Sequence, residues 1–259
     1  MKIPEFKIRT DLALEEREGL KEAAEEVSGV SFKKWEGKRS AAQITEVKVL
    51  NEHGAKALGK PMGSYLTLEA DKLLMPDEDF HSEVSDELAL LLKGLLKQKT
   101  GKNILVAGLG NQSVTPDSLG PRTVSNLCVS AEGLKAIAPG VMAQTGMETA
   151  RILLGIIKEV QPDLVIAIDA LAARSIRRLG TTIQVTDTGI HPGSGVGNHR
   201  HGLTRESLGV PVIAIGVPTV VGTAAIVHDT VSVLIQTLLE HAQTREIGGF
   251  LDQLDSDEQ

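Results

Sequence analysis

Two aspartates follow apolar runs in comparable places. In "GLGNQSVTPDSLGP" (108–121) Asp117 stands between a proline and Ser-Leu-Gly, and in "DLVIAIDALAAR" (163–174) Asp169 stands at the carboxyl end of the apolar run. Two carboxylates that share a partly desolvated cleft cannot both ionise cheaply, so one keeps a proton and the other acts as a base. Such a pair suits amide hydrolysis: the base takes a proton from water, and the acid partner protonates the carbonyl oxygen and then the leaving nitrogen. The chemistry needs no metal and no cofactor, although the same pair with a histidine would bind a divalent ion. Each aspartate also has a structural reading, as a helix cap or a loop hydrogen-bond acceptor, and Asp117 before "SLGPRTVSNL" fits an N-cap.

Other motifs carry less. Gly108 and Gly110 open like a dinucleotide turn, but Ser113 takes the place of the third glycine and a proline-containing loop precedes any helix. "GSGVGN" (193–198) lacks the Lys-Ser/Thr ending of a phosphate loop and reads as a loop shaping a cleft. His191, His199 and His201 flank it without a zinc-type spacing; His191 is the candidate ligand should a metal be held with the two aspartates. "DTG" (187–189) copies the tripeptide of pepsin-like proteases, which are all-β and need two copies, so catalysis by Asp187 is not expected.

The elements that must position the aspartates are readable from periodicity. "NILVAGLG" (103–110), "DLVIAID" (163–169) and "VPVIAIGVP" (210–218) lack polar alternation, as strands buried on both faces do. Helical spacing appears over 80–99, with Val84, Leu88, Leu91, Leu92 and Leu95 on one face, and over the segment "TGMETARILLGIIKEV", where Thr145 and Glu148 stand at capping-box spacing. A helix is expected after the Asp117 loop, another at 13–27 on the surface, and a last one over about 223–242. "ITEVKVL" (44–50) and "GSYLTLEA" (63–70) read as a hairpin or edge region, and "TTIQVTD" (181–187) as a further strand. Strands alternating with helices predict a three-layer α/β domain, a largely parallel sheet flanked by helices, with ligands beyond the carboxyl ends of the strands.

Composition limits the function. The 259 residues, 41% apolar, suffice for one large core. A net charge of −7 with four Phe, one Tyr and one Trp argues against nucleic-acid binding, which needs a basic face and stacking rings. No apolar stretch reaches the roughly 18 residues that span a bilayer, and the N-terminus has no apolar signal core, so a soluble, unexported protein with no membrane partner is expected. The single Cys128 excludes an internal disulfide and reads as a small core residue.

The motifs "RTDLA" (9–13), "GLGN.SVTPD.LGP" (108–121), "PGVM..TG.ET" (139–149), "P...IAIDALAARSI" (162–176), "DTGIHPGSGVGN" (187–198) and "PVIAIGVPTVV" (211–221) together closely resemble the germination proteases of endospore-forming bacteria. The resemblance runs from about Ile8 to about Leu239. It implies an atypical aspartic endopeptidase, similar in fold to the hydrogenase-maturation proteases, that degrades small acid-soluble spore proteins in the spore core during germination. It implies that Asp117 and Asp169 are the catalytic pair, and that the enzyme is a homotetrameric zymogen that removes its own N-terminal segment by cutting between Asp11 and Leu12. On that reading residues 1–11 are a propeptide, 12–251 the protease domain and 252–259 an acidic tail. The residue before the cut is acidic, and Arg122, Arg174 and Arg177 are the candidate cations for it. The alternatives are a metal-dependent maturation-type peptidase, and a binding module whose glycine loops hold a small anion.

Overall fold

The computed structural model describes residues 10–21, 27–96, 103–129, 133–191, 201–227, 229–231, 233–235 and 237–239. Eight strands form one sheet: β1 (Val30–Glu36), β2 (Gln43–Val49), β3 (Gly63–Glu69), β4 (Ile104–Gly108), β5 (Leu134–Ile137), β6 (Leu164–Ala173), β7 (Thr182–Thr186) and β8 (Val212–Val221). Their order is β1-β2-β3-β7-β8-β6-β4-β5. The sheet is mixed. Parallel ladders join β8, β6 and β4, as the apolar runs predicted, and add β5, which the sequence did not reveal, whereas β1, β2, β3, β7 and β8 pair antiparallel. The six residues between β1 and β2 are too few for a crossover, which forces antiparallel pairing there.

Helices cover both faces, and strand alternation assigns each face its cluster. On one face α6 (Thr149–Val160) sets Ala150, Leu153 and Ile157 against Leu105, Ala107, Val165 and Ala167. The same face carries α1 (Ala13–Lys21) and α2 (Glu52–Leu58) over Val47, Val49 and Tyr65. On the other, α3 (Glu78–Leu96) packs Leu88, Leu91, Leu92 and Leu95 against Leu66, Leu164, Val185 and Ile213. Next to it α4 (Leu119–Asn126) lies on β4 and β6. Two single turns, α5 (Met142–Thr145) and α7 (Arg205–Leu208), complete the layers, and helical turns follow β8 in the described residues from 223 to 239. None of the described helices is long and apolar enough to cross a membrane.

Several expectations need correction. β2 and β3 pair antiparallel near the sheet edge, as expected, but the connection read only as turn-prone contains the helix α2. Thr145 ends α5, and Gly146 follows in the left-handed conformation, so α6 begins afresh with Glu148 as its N-cap. β6 runs on to Ala173 instead of stopping at Asp169, because β8 continues beside it beyond the end of β4. Cys128 is exposed, just past the end of α4. The helix at 13–27 is more than a solvated surface element: Ala13, Leu14 and Glu15 are buried, and it is described as helix to Lys21.

Glu15 is bolted to the far end of β6. Its carboxylate accepts the main-chain N–H groups of Arg174 (2.6 Å) and Ser175 (3.0 Å) and pairs with Arg178 at 3.1 Å. Arg178 also reaches Glu18 (2.8 Å) and Glu69 (3.1 Å). Burial acts to lower the pKa of its guanidinium, and the carboxylates of Glu18, Glu69 and Glu15 outweigh that and raise it.

Tyr65 supplies an alkaline test of the packing. Its hydroxyl donates to Pro61 O at 2.8 Å. Burial pushes the phenol up to about 12, with Thr188 opposing and Asp187 adding to the shift. The unfolded phenol ionises near ~10, so between there and about 12 the folded state holds the extra proton and stability falls as pH rises. From pH ~9 to ~11.5 this group removes about 2 kcal/mol, and Tyr65→Phe is expected to flatten the alkaline fall in unfolding free energy, measured by urea titration, by that amount.

Candidate active site

Asp169 lies where β4 leaves the sheet: Gly108, the last residue of β4, pairs with Ile168. Its side chain shares a face with Val165, Ala167 and Leu171, it is 5% exposed, and its Oδ1 accepts from Ala170 N at 2.9 Å. Across the sheet it is level with Gly216 of β8, which in turn pairs with Gln184 of β7, and the Leu171 side chain packs over Gly216, where a Cβ would stand 2.5 Å from it.

Asp117 ends a short 3-10 turn (Thr115–Asp117) that touches both β6 and β8. It does not cap α4; Ser118 holds the N-cap position without a side-chain bond. Instead Asn111 N donates to Asp117 Oδ2 (2.8 Å) and to Asp117 O (2.9 Å), folding the loop back on itself. The closure needs Gly110 at φ +110°, where a Cβ would fall 2.0 Å from Asp117 O. Asn111 Oδ1 accepts from Gln144 Nε2 at 2.7 Å, which ties in the α5 turn, and Thr219 of β8 donates its hydroxyl to Pro116 O at 2.6 Å.

Gly120 brings the two aspartate-bearing segments together. A Cβ on it would stand 2.3 Å from Leu109 O, 2.4 Å from Leu109 N and 2.5 Å from Ile168 O, all backbone atoms. Leu109 N itself donates to Ile168 O at 2.8 Å. Gly120→Ala must therefore push α4 and the Asp117 turn away from β6. We expect it to cost about 1–3 kcal/mol, read from the denaturant midpoint, and to displace the Asp117 turn from Asp169.

The remaining candidates are dispersed. Arg122 is exposed on α4, Arg177 is exposed after β6, and Arg174 is half-buried with its guanidinium against Gly19 of α1. Asp187 is structural: its Oδ1 accepts from Ser64 N at 2.9 Å. His191 is exposed, with its ring against Gly202, and His201 pairs with Glu148 at 2.5 Å. His199, the loop at 193–198 and the tail at 252–259 lie outside the described residues. Among the described residues, no group of three or more His, Cys, Asp or Glu side chains stands close enough to hold a metal, so the metal-dependent reading finds no cage there.

A cavity of about 60 Å³ opens beside Gly216, edged by Gln184, Thr186, Lys60, His191 and Asp11. Sequence reasoning missed Lys60 and Gln184. Lys60 sits in the turn-like "LGKPMG" with no spacing relation to Asp11, and the one hint of Gln184 is a polar side chain in an otherwise apolar and Thr-rich strand.

Comparison with known proteins puts this chain among the peptidases. A family model described as Germination protease matches residues 8–247. The chain is 50% identical over 254 residues to a germination protease of Caldanaerobacter subterraneus subsp. tengcongensis, covering 93% of this chain and 77% of that one. To that of Clostridium perfringens (strain ATCC 13124) it is 40% identical over 269 residues, covering 98% and 82%. To that of Oceanobacillus iheyensis it is 44% identical over 255 residues, covering 89% and 68%. The chain belongs to the germination protease family.

Proposed function

We propose that the chain is an aspartic endopeptidase that initiates degradation of small acid-soluble spore proteins in the spore core, cutting after an acidic residue. Asp169 and Asp117 hold one proton between them. The ionised partner deprotonates water, which adds to the carbonyl carbon; the protonated partner gives its proton to the carbonyl oxygen, and the C–N bond breaks as the nitrogen is protonated. The observation that carries this reading is a buried aspartate at the end of a β4–β6 ladder with a second aspartate turn packed beside it, in a chain of the germination protease family. The same reading makes residues 1–11 a propeptide removed at Asp11–Leu12, the enzyme a homotetramer, and its fold kin to the hydrogenase-maturation proteases. Arg122, Arg174 and Arg177 keep their proposed part in binding the acidic residue.

Mass spectrometry of a small acid-soluble spore protein incubated with the chain beginning at Leu12 tests the proposal. The expected result is a discrete cut after an acidic residue that chelators leave unaffected. Absence of any cut by folded protein, or loss of the cut with chelator, would sink it.

A further inference from the structure

The peptide bond between Asp11 and Leu12 is gripped from both sides. Lys60 Nζ donates to the carbonyl oxygens of Thr10 (3.3 Å) and Asp11 (2.9 Å). Gln184 Nε2 donates to the same Asp11 oxygen at 3.3 Å, while Gln184 Oε1 accepts from Ala13 N at 2.8 Å. The Asp11 residue is also read by the main chain of β6: Ala172 N donates to Asp11 Oδ2 at 2.9 Å, and Asp11 N donates to Ala172 O at 2.9 Å. The Thr10 hydroxyl bonds to Glu15 and also lies 3.4 Å from Ala172 O. Beyond Asp11 the character changes, because Leu12 is fully buried with Leu171 and Ala173 and belongs to the core under α1.

A lysine ammonium in these surroundings is aimed at neutral oxygens. Burial holds Lys60 below the usual lysine range, and Asp11, Glu16 and Glu15 oppose that shift. Hydrolysis would change the charge at this point. Breaking the Asp11–Leu12 C–N bond adds the water oxygen to the Asp11 carbonyl carbon and leaves an amine on Leu12. The oxygen held by Lys60 and Gln184 then becomes part of an α-carboxylate, and each bond to it becomes charge-assisted.

We propose that Lys60 and Gln184 form a receptor for the terminal carboxylate of a peptide ending in Thr-Asp, so that the segment freed by processing stays bound as product and the same peptide binds in trans. The proposal rests on the reading that the chain is cut between Asp11 and Leu12. Capture of a C-terminal carboxylate by a cation and amide donors is a recurrent recognition mode, and here the side chain of the last residue is matched as well, by Ala172 N.

The test compares two fluorescent peptides of residues 3–11, one ending in the free acid and one in the amide, by anisotropy. The protein is the full chain after processing, with its segment removed, or the chain beginning at Leu12, which keeps all eight strands and the Glu15–Arg178 anchor. The free acid is expected to bind at least about tenfold more tightly than the amide, and Lys60→Met to reduce that difference to about twofold. Equal affinities, no binding of either peptide, or a preference that persists in Lys60→Met would overturn the proposal. Should Lys60→Met not fold, the acid–amide comparison on the unaltered protein decides alone. Intact mass of the full chain reports separately on processing: no cut with a preserved acid preference removes the processing reading and leaves the receptor, while a cut with equal affinities does the reverse.

Discussion

Asp169→Asn is expected to lower kcat/KM by about 10²–10⁴ with little change in melting temperature. The substitution keeps the shape, and an amide oxygen can still accept from Ala170 N as Asp169 Oδ1 does at 2.9 Å. What disappears is a carboxylate able to exchange a proton. Asp117→Asn should behave alike, since the Asn111 N–H needs only an oxygen acceptor at the Oδ2 position, 2.8 Å away. If the two act as one unit, the double variant will be hardly slower than either single one. Activity above about a tenth of wild type in either variant would remove that residue from the pair, because general acid–base catalysis contributes more than this.

The largest effect on stability is expected at Arg178. Glu15 is 2% exposed and Arg178 pairs with it at 3.1 Å, so Arg178→Met leaves a buried carboxylate with its main-chain donors but without its paired cation. Removing one partner of a buried pair costs about 3–5 kcal/mol, a fall in melting temperature of about 10 °C for a chain of this size. Glu18 and Glu69 are more exposed and add little. Adding Glu15→Gln should restore part of the loss, since the amide no longer carries the charge, and the double-mutant cycle then measures the coupling directly. A loss below about 1 kcal/mol in Arg178→Met would show that the main-chain N–H groups of Arg174 and Ser175 and the Thr10 hydroxyl, not the guanidinium, hold the Glu15 charge.

What the sequence made legible depends on how each segment is buried. β4, β6 and β8 read as unbroken apolar runs because both their faces are covered. β1, "VSFKKWE", is an edge strand with exposed Lys33 and Lys34 and gives no clean alternation. β5 has only four residues. α2 is obscured by Gly54, which reads as a breaker yet is required: a Cβ there would lie 2.3 Å from Gly29 O. In the candidate site, Asp117 and Asp169 stand out because carboxylates that closely follow apolar runs are conspicuous. Lys60 and Gln184 do not, because their relation to Asp11 spans 49 and 173 residues of chain and exists only once the sheet has formed.

The order of the strands has a further consequence during synthesis on the ribosome. β1, β2 and β3 leave the exit tunnel as a ready meander, but the outer edge of β3 pairs with β7, whose Thr182 meets Glu69. At ~5–20 residues per second, the roughly hundred intervening residues leave that edge open for about 5–20 s. Residues 10–13 wait longer, since Ala172 and Gln184 must emerge before the first segment made can dock. The N-terminal strap is thus the earliest part translated and among the last to be fastened, and the nascent chain carries an open strand edge that invites pairing with a neighbouring copy until β7 arrives.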